Sequence, residues 1–200
     1  MAVLSAETEL FPGDLLEAGP DLAGEQELAD ACDGADAETG TDYARRWRVV
    51  YTRSRQEKSL ARHLVAHEVP FYLPLIKQKK HRRTASRLPL FTGYLFMHCD
   101  AEERVTALTS NRISQILDVE DQATLITDLR QIHTLIHADA PLTIEQRLQP
   151  GRKVRVKDGV LAGLEGTIVS RRTDSRLLVA VNYLNQGVSI QIDDFMVEPL

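Results

Sequence analysis

The chain has 200 residues, 43% hydrophobic and 26% charged, which is the composition of a globular protein with room for one large domain or two small ones. No run approaches the roughly 18 apolar residues that span a bilayer, and the N-terminus lacks the basic start and apolar stretch of a secretory signal, so a cytoplasmic protein away from membranes is expected. The net charge of -5 hides a segregation: residues 1–44 hold twelve acidic side chains and no Lys or Arg, leaving 24 basic against 17 acidic residues, a formal +7, over 45–200. A basic body with an acidic tail points to a polyanionic partner, most simply nucleic acid.

In chain order, residues 1–44 are rich in Ala, Gly, Asp and Glu without a sustained period and are expected to be a disordered acidic tail. Trp47 to Thr52 has the β-branched and aromatic content of a strand. Ser54-Arg-Gln-Glu57 reads as a capping box opening a helix, with Leu60, Ala61, Leu64 and Val65 at helical spacing and an end before Pro70. Phe71 to Ile76 reads as a second strand, and Lys77 to Arg87 as a basic loop containing Lys79, Lys80, Arg82 and Arg83.

Pro89 to Phe96, Pro-Leu-Phe-Thr-Gly-Tyr-Leu-Phe, reads as the central strand. Alternation places Phe91, Gly93 and Leu95 on one face and Tyr94 and Phe96 on the other, both apolar. A chain this short has little with which to cover the second face, which makes it a candidate partner site. Asp100 with Glu102 and Glu103 starts a second helix, running to about Ser110, with Val105 and Leu108 as its inward residues. Ile113 to Val119 gives a fourth strand. Thr127-Asp128 opens a third helix with Leu129, Ile132, Leu135 and Ile136 at three- and four-residue spacing.

The N-terminal domain, residues 45–138, is therefore expected to be an α/β sandwich, a small antiparallel sheet with helices mainly on one side. Residues 139–150, with Pro141 and Pro150, read as a linker. Five short β-rich runs between Val154 and Val197, separated by turn residues, predict a small five-stranded β-barrel over 151–200, so the fold class is α+β.

Several chemistries are set aside. His63 with His67, and His133 with His137, have a metal-permissive spacing, but no zincin motif or Cys ligand supports either pair, so they read as surface or half-buried helix histidines. The cysteines, Cys32 and Cys99, lie in regions of different character and suggest neither a disulfide nor a zinc site. Gly159, Gly163 and Gly166 lie between strands and lack the helix and Lys-Ser/Thr pair of a phosphate loop.

Two motifs carry a family resemblance. Pro150-Gly-Arg-Lys-Val-Arg-Val-Lys-Asp-Gly-Val-Leu-Ala-Gly-Leu-Glu-Gly-Thr-Ile-Val169 resembles the KOW motif, and Pro-Leu-Phe-Thr-Gly-Tyr-Leu-Phe after Trp-Arg-Val-Val-Tyr resembles the N-terminal domain of NusG. The likeness covers about residues 46–200, with Thr92 where the family pattern has Pro. It implies a transcription elongation factor, not an enzyme, with no cofactor and no metal. The family's polymerase-binding surface carries over onto Tyr51, Phe91, Tyr94 and Phe96, facing the clamp helices of the largest RNA polymerase subunit. Contacts to the non-template DNA strand carry over onto Arg53, Arg55 and Arg112, to which the basic loop adds Lys79, Lys80, Arg82 and Arg83.

Leu161 and Leu164 are the expected partner-binding positions of the KOW domain, for Rho or a small-subunit ribosomal protein, and a monomer is expected. Three readings stay open: a specialised paralogue of the RfaH type acting in antitermination on a subset of operons, a housekeeping NusG coupling polymerase to Rho or the ribosome, and a KOW-containing ribosome-associated RNA-binding protein. The long basic loop, the Pro-Leu-Phe wording and the acidic extension favour the first. Some RfaH-type relatives refold the KOW domain as a helical hairpin. The Val- and Ile-rich strands and the glycines here favour a β-barrel throughout.

Overall fold

The computed structural model describes residues 8–17, 44–78, 86–138, 142–145, 151–170, 175–192 and 197–200. They fall into two compact units, one comprising residues 1–73 and 92–122 and the other residues 74–91 and 123–200. The basic residues Lys79, Lys80, Arg82 and Arg83, most of the acidic tail and Cys32 lie outside the described residues.

The first unit is an antiparallel sheet of five strands in the order β1-β3-β6-β2-β7: β1 Leu10–Phe11, β2 Arg46–Thr52, β3 Phe71–Tyr72, β6 Tyr94–Cys99 and β7 Ile113–Asp118. Strand β2 pairs with β6 on one side and β7 on the other, with Val49 opposite Phe96 and Leu117, and Tyr51 opposite Tyr94 and Gln115. Directly paired residues share a face, so Trp47, Val49, Tyr51, Tyr72, Tyr94, Phe96 and His98 form one surface of the sheet. Helix α1, Glu57–Ala66, buries Leu60, Ala61 and Leu64. Helix α2, Ala101–Thr109, opens with the expected cap: Asp100 accepts from the Glu103 N–H at 2.8 Å and the Glu103 carboxylate accepts from the Asp100 N–H at 3.1 Å.

Five expectations for this unit are corrected. The tail is not featureless from 1 to 44: Leu10 and Phe11 pair with Tyr72 and Phe71, Leu73 N–H donates to the Glu9 carbonyl, and Leu16 is buried. Ser54 does not cap α1. The helix starts at Glu57 with Gln56 before it and no side-chain cap, because Arg55 sits at φ 58° and Glu57 is engaged elsewhere.

The run Phe71 to Ile76 splits at Leu73-Pro74 into β3 and a further strand, β4, Leu75–Gln78. The Pro89–Phe96 run also splits: residues 90–93 form a turn, and only from Tyr94 does the strand run on, as the middle one of five. The parity argument therefore holds for Tyr94 and Phe96 but not for Phe91. Finally, Val105 and Leu108 are exposed and Ala107 is the buried residue of α2, a small side chain that lets the helix approach closely.

In the second unit, β4, Leu75–Gln78, and β5, Ser86–Pro89, form a two-stranded hairpin. Helix α3, Gln122–His137, starts five residues before the expected Thr127. Its Leu125, Ile126, Leu129, Ile132 and Leu135 are buried and Ile136 is half-buried. Asp128 is therefore not a cap but a buried mid-helix carboxylate. It accepts from the backbone N–H of Asn182 at 2.9 Å and from its Nδ2, at the 3-10 turn Asn182–Leu184.

The C-terminal sheet has the order β13-β9-β10-β11-β12-β8: β9 Arg152–Val156, β10 Glu165–Ser170, β11 Ser175–Val181, β12 Gln186–Gln191, β13 Val197–Pro199 and β8 Leu142–Glu145. Five of these follow the 5-1-2-3-4 order of an SH3-like barrel. Val154, Val156, Leu177, Val179, Val181, Val188 and Ile190 are buried among them. The sixth, β8, corrects the reading of 139–150 as a bare linker. The described part of this domain is strands and one 3-10 turn, with no helical hairpin, so the fold is α+β as expected.

Candidate functional site

The candidate residues of the first unit gather where β2 leaves the sheet. Gly93 carries a φ of +85°, a conformation that disfavours any side chain, and a Cβ built there would lie 3.0 Å from Tyr51 Cε2. Both of its backbone groups are held. Its N–H donates to the buried Glu57 carboxylate at 2.7 Å, and its carbonyl accepts from Thr52 N–H at 2.8 Å and from Thr52 Oγ1 at 3.3 Å. This clamp fixes the start of β6 and so the position of Tyr94, whose ring lies 5.2 Å from that of Tyr51 at 45°.

Tyr51 is 43% exposed and Tyr94 half-buried, so the pair presents an aromatic surface with two hydroxyl groups. Phe96 and Phe91 do not: each is at most 1% exposed. Phe96 sits deeper on the same face, its ring 6.5 Å from that of Tyr72, and Phe91 lies in the turn that precedes Gly93. Trp47 stacks on His98 at 5.2 Å and is also buried. The expected open aromatic face is thus buried at Trp47, Val49, Tyr72 and Phe96, half-buried at His98 and Tyr94, and open at Tyr51.

The three arginines lie at this same end. Arg53 and Arg55 follow β2 directly and are exposed, and Arg53 N–H donates to the Arg112 carbonyl at 2.8 Å, joining the residue before β7 to the residue after β2. Arg112 is half-buried, with its Nη1 donating to the Ser110 carbonyl at 2.9 Å. Arg55 holds a left-handed backbone, uncommon for a long side chain. Two tyrosines and three arginines therefore flank one end of the sheet, which sets an aromatic surface beside cationic residues. Sequence reasoning missed Glu57 and Thr52 as the residues that build this site. In the sequence Glu57 reads as the third helical position of a capping box, and nothing local marks its carboxylate as the acceptor of the Gly93 N–H.

The opposite end of β2 carries a buried charge. Arg48 donates from Nε to Asp118 at 2.9 Å and from Nη1 to the Cys99 carbonyl. Burial lifts the Cys99 thiol to about 11 although Arg48 beside it pulls the other way. This is a structural thiol, not a nucleophile.

The histidine pairs are built into helices. His63 and His133 are half-buried, His67 and His137 exposed, and Nδ1 of each later residue lies within hydrogen-bond distance of the carbonyl of the earlier. In the KOW domain, Leu164 is 5% exposed and belongs to the core, which corrects its assignment as a partner-binding residue. Leu161 is half-buried in the turn before it, next to the 84% exposed Val160.

Among the described residues no helix is long and apolar enough to cross a membrane. The chain is similar to a solved structure from Thermotoga maritima titled "Domain interaction in Thermotoga maritima NusG", at 17% identity over 78% of this chain and 97% of that one, with a TM-score of 0.43. The family model described as "Transcription termination factor nusG" matches residues 45–147. That span is just over half of the sequence and contains the whole Tyr51, Gly93, Tyr94 and Arg112 constellation, and the chain belongs to the NusG family of transcription factors.

Proposed function

We propose that this chain is an elongation factor that docks on RNA polymerase through the Tyr51–Tyr94 end of its N-terminal sheet and steadies the non-template DNA strand through Arg53, Arg55 and Arg112. The observation that carries this reading is the convergence of the exposed Tyr51, the half-buried Tyr94 and three arginines on one end of β2, held by the Thr52, Glu57 and Gly93 clamp. An aromatic anchor suits the clamp helices of the largest subunit, and the guanidinium groups suit the phosphates beside them. Lys79, Lys80, Arg82 and Arg83 are proposed as further nucleic-acid contacts on the ground of their charge in the sequence alone. Phe91 and Phe96 are buried and drop out of the proposed contact surface.

Within the family we assign the chain to the specialised branch of the RfaH type, which acts in the cytoplasm as a monomer on a subset of operons to suppress pausing and termination. The basic run of the sequence between Lys77 and Arg87 and the acidic stretch before residue 45 support this. The KOW domain then reaches a second partner, Rho or a small-subunit ribosomal protein, with Leu161 and Val160 on the turn that meets it. Profiling nascent transcripts with and without the protein tests the assignment. Altered elongation on a few operons is expected. A genome-wide effect would identify a housekeeping factor, and failure to co-purify with polymerase would overturn the polymerase reading itself.

A further inference from the structure

Helix α1 ends in a histidine pair, His63-Leu-Val-Ala-His67, whose imidazole centroids lie 4.2 Å apart with the rings tilted by 38°. The spacing puts two side chains one turn apart on one face of a helix, and by itself names no ligand. The structure adds where the ring protons are. Nδ1 of His67 lies 2.8 Å from the His63 carbonyl, and Nε2 of His63 lies 3.2 Å from the carbonyl of Thr106 in α2. A carbonyl oxygen only accepts, so each of these nitrogens carries the proton and donates. In the neutral imidazoles the lone pairs therefore sit on Nδ1 of His63 and Nε2 of His67, and among the described residues neither of those nitrogens has a hydrogen-bond partner.

Metal-ligating histidines share this arrangement. One ring nitrogen ligates, while the N–H of the other is held by a backbone carbonyl or a carboxylate that fixes the tautomer and aims the ring. Two nitrogens on one tetrahedral ion are about 3.3 Å apart for bonds of about 2.0–2.1 Å, a separation within reach of rings centred 4.2 Å apart.

The placement in the helix favours a cation as well. His63 is in the last turn of α1 and His67 is its C-cap residue, where the helix dipole is negative, and the exposed Glu68 follows. His67 is exposed and His63 half-buried, so the pair is open to an ion from solvent.

We propose that His63 and His67 form a binding site for a divalent first-row transition metal ion, Zn2+, Ni2+ or Cu2+, ligated by Nδ1 of His63 and Nε2 of His67 with water completing the coordination. Imidazole nitrogens suit these ions, whereas Mg2+ and Ca2+ prefer oxygen ligands. Two protein ligands make the site exchangeable, filled and emptied with the free ion concentration, in contrast to the four-ligand sites that hold a structural zinc. A bound ion fixes the His63 ring, whose other nitrogen donates to Thr106, and so fastens the end of α1 to α2. The site does not depend on the polymerase reading.

The test uses the full chain carrying His133→Gln and His137→Gln, which removes the second histidine pair of the same spacing. Calorimetric titration is expected to show one ion per chain, tighter for Cu2+ than for Ni2+, and little affected by about a hundredfold excess of Mg2+. Binding should weaken as the pH is lowered, since a ligating imidazole must be unprotonated. Adding His67→Gln, at an exposed position, should weaken binding at least about tenfold. Substoichiometric Cu2+ should broaden the ring NMR signals of His63 and His67 before those of His81 and His98. Undiminished affinity in the His67→Gln chain, broadening centred on the other histidines, or no binding of Ni2+ and Cu2+ overturns the proposal.

Discussion

The carboxylate of Glu57, the first residue of α1, accepts a 2.7 Å hydrogen bond from the backbone N–H of Gly93, and both groups are buried. This single contact ties the helix after β2 to the turn before β6, and so sets where Tyr94 stands beside Tyr51. Replacing Glu57 with Ala leaves a buried N–H without its acceptor and is expected to cost about 1–3 kcal/mol of stability. Gln keeps an acceptor oxygen and should recover most of that loss. Urea melts of the two variants check this, and equal losses would show that the contact does not hold the turn.

Gly93→Ala should be the more damaging change. The left-handed φ of +85° and the 3.0 Å approach to Tyr51 act together, since the added methyl must either relax the backbone or displace the ring. A loss of about 1–3 kcal/mol is expected, with altered near-ultraviolet circular dichroism from the moved tyrosine. An unchanged melt would mean that the turn is not fixed as described.

Leu16→Ala tests the ordered part of the N-terminal segment. A leucine 4% exposed in a folded unit should cost about 2 kcal/mol or more when truncated. A tail that touches nothing would show no change in chemical denaturation.

Cys99 gives the pH dependence. Its thiol is raised from 9.0 to about 11, chiefly by burial, so the folded state holds the proton more tightly than the unfolded one. The corresponding stability is fully present below about pH 9 and is lost as pH rises through about 11, up to about 2–3 kcal/mol in all. In a Cys32→Ser background, alkylation at pH 8.5 should be slow until the protein is unfolded, and Cys99→Ala should flatten the decline in stability between pH 9 and 11. Rapid labelling of the native protein would contradict the burial.

The contrast between the two helix starts shows how far the sequence could be read. Asp100 and Glu103 are three residues apart and cap each other, so their box was legible locally. Ser54 and Glu57 have the same spacing, but the Glu57 carboxylate is taken by a residue 36 positions away and Arg55 turns the chain left-handed, and no local pattern reports either fact. The short strands β1 and β8 were missed for a related reason. Two and four residues are too few to show a period, and they are strands because an edge of β3 or β12 receives them. The tyrosine pair was legible from family wording, whereas the closure of the face beneath it depends on tertiary packing.

The arginines should act through phosphate. Replacing Arg53, Arg55 and Arg112 together is expected to weaken binding to a transcribing elongation complex and to reduce its salt dependence, because each lost phosphate contact releases fewer counterions. Binding to polymerase without nucleic acid should change little. An equal loss in both assays would place these residues on the protein interface.

The most direct test of the account is the affinity of Tyr51→Ala and Tyr94→Ala variants for RNA polymerase, measured beside their thermal unfolding. Each is expected to lose about 1–3 kcal/mol of binding while melting close to the wild type, since the rings stand at the exposed end of a sheet whose core is carried by Val49, Phe96 and Leu95. Wild-type affinity in both folded variants would contradict the assignment of this end of β2 as the polymerase surface.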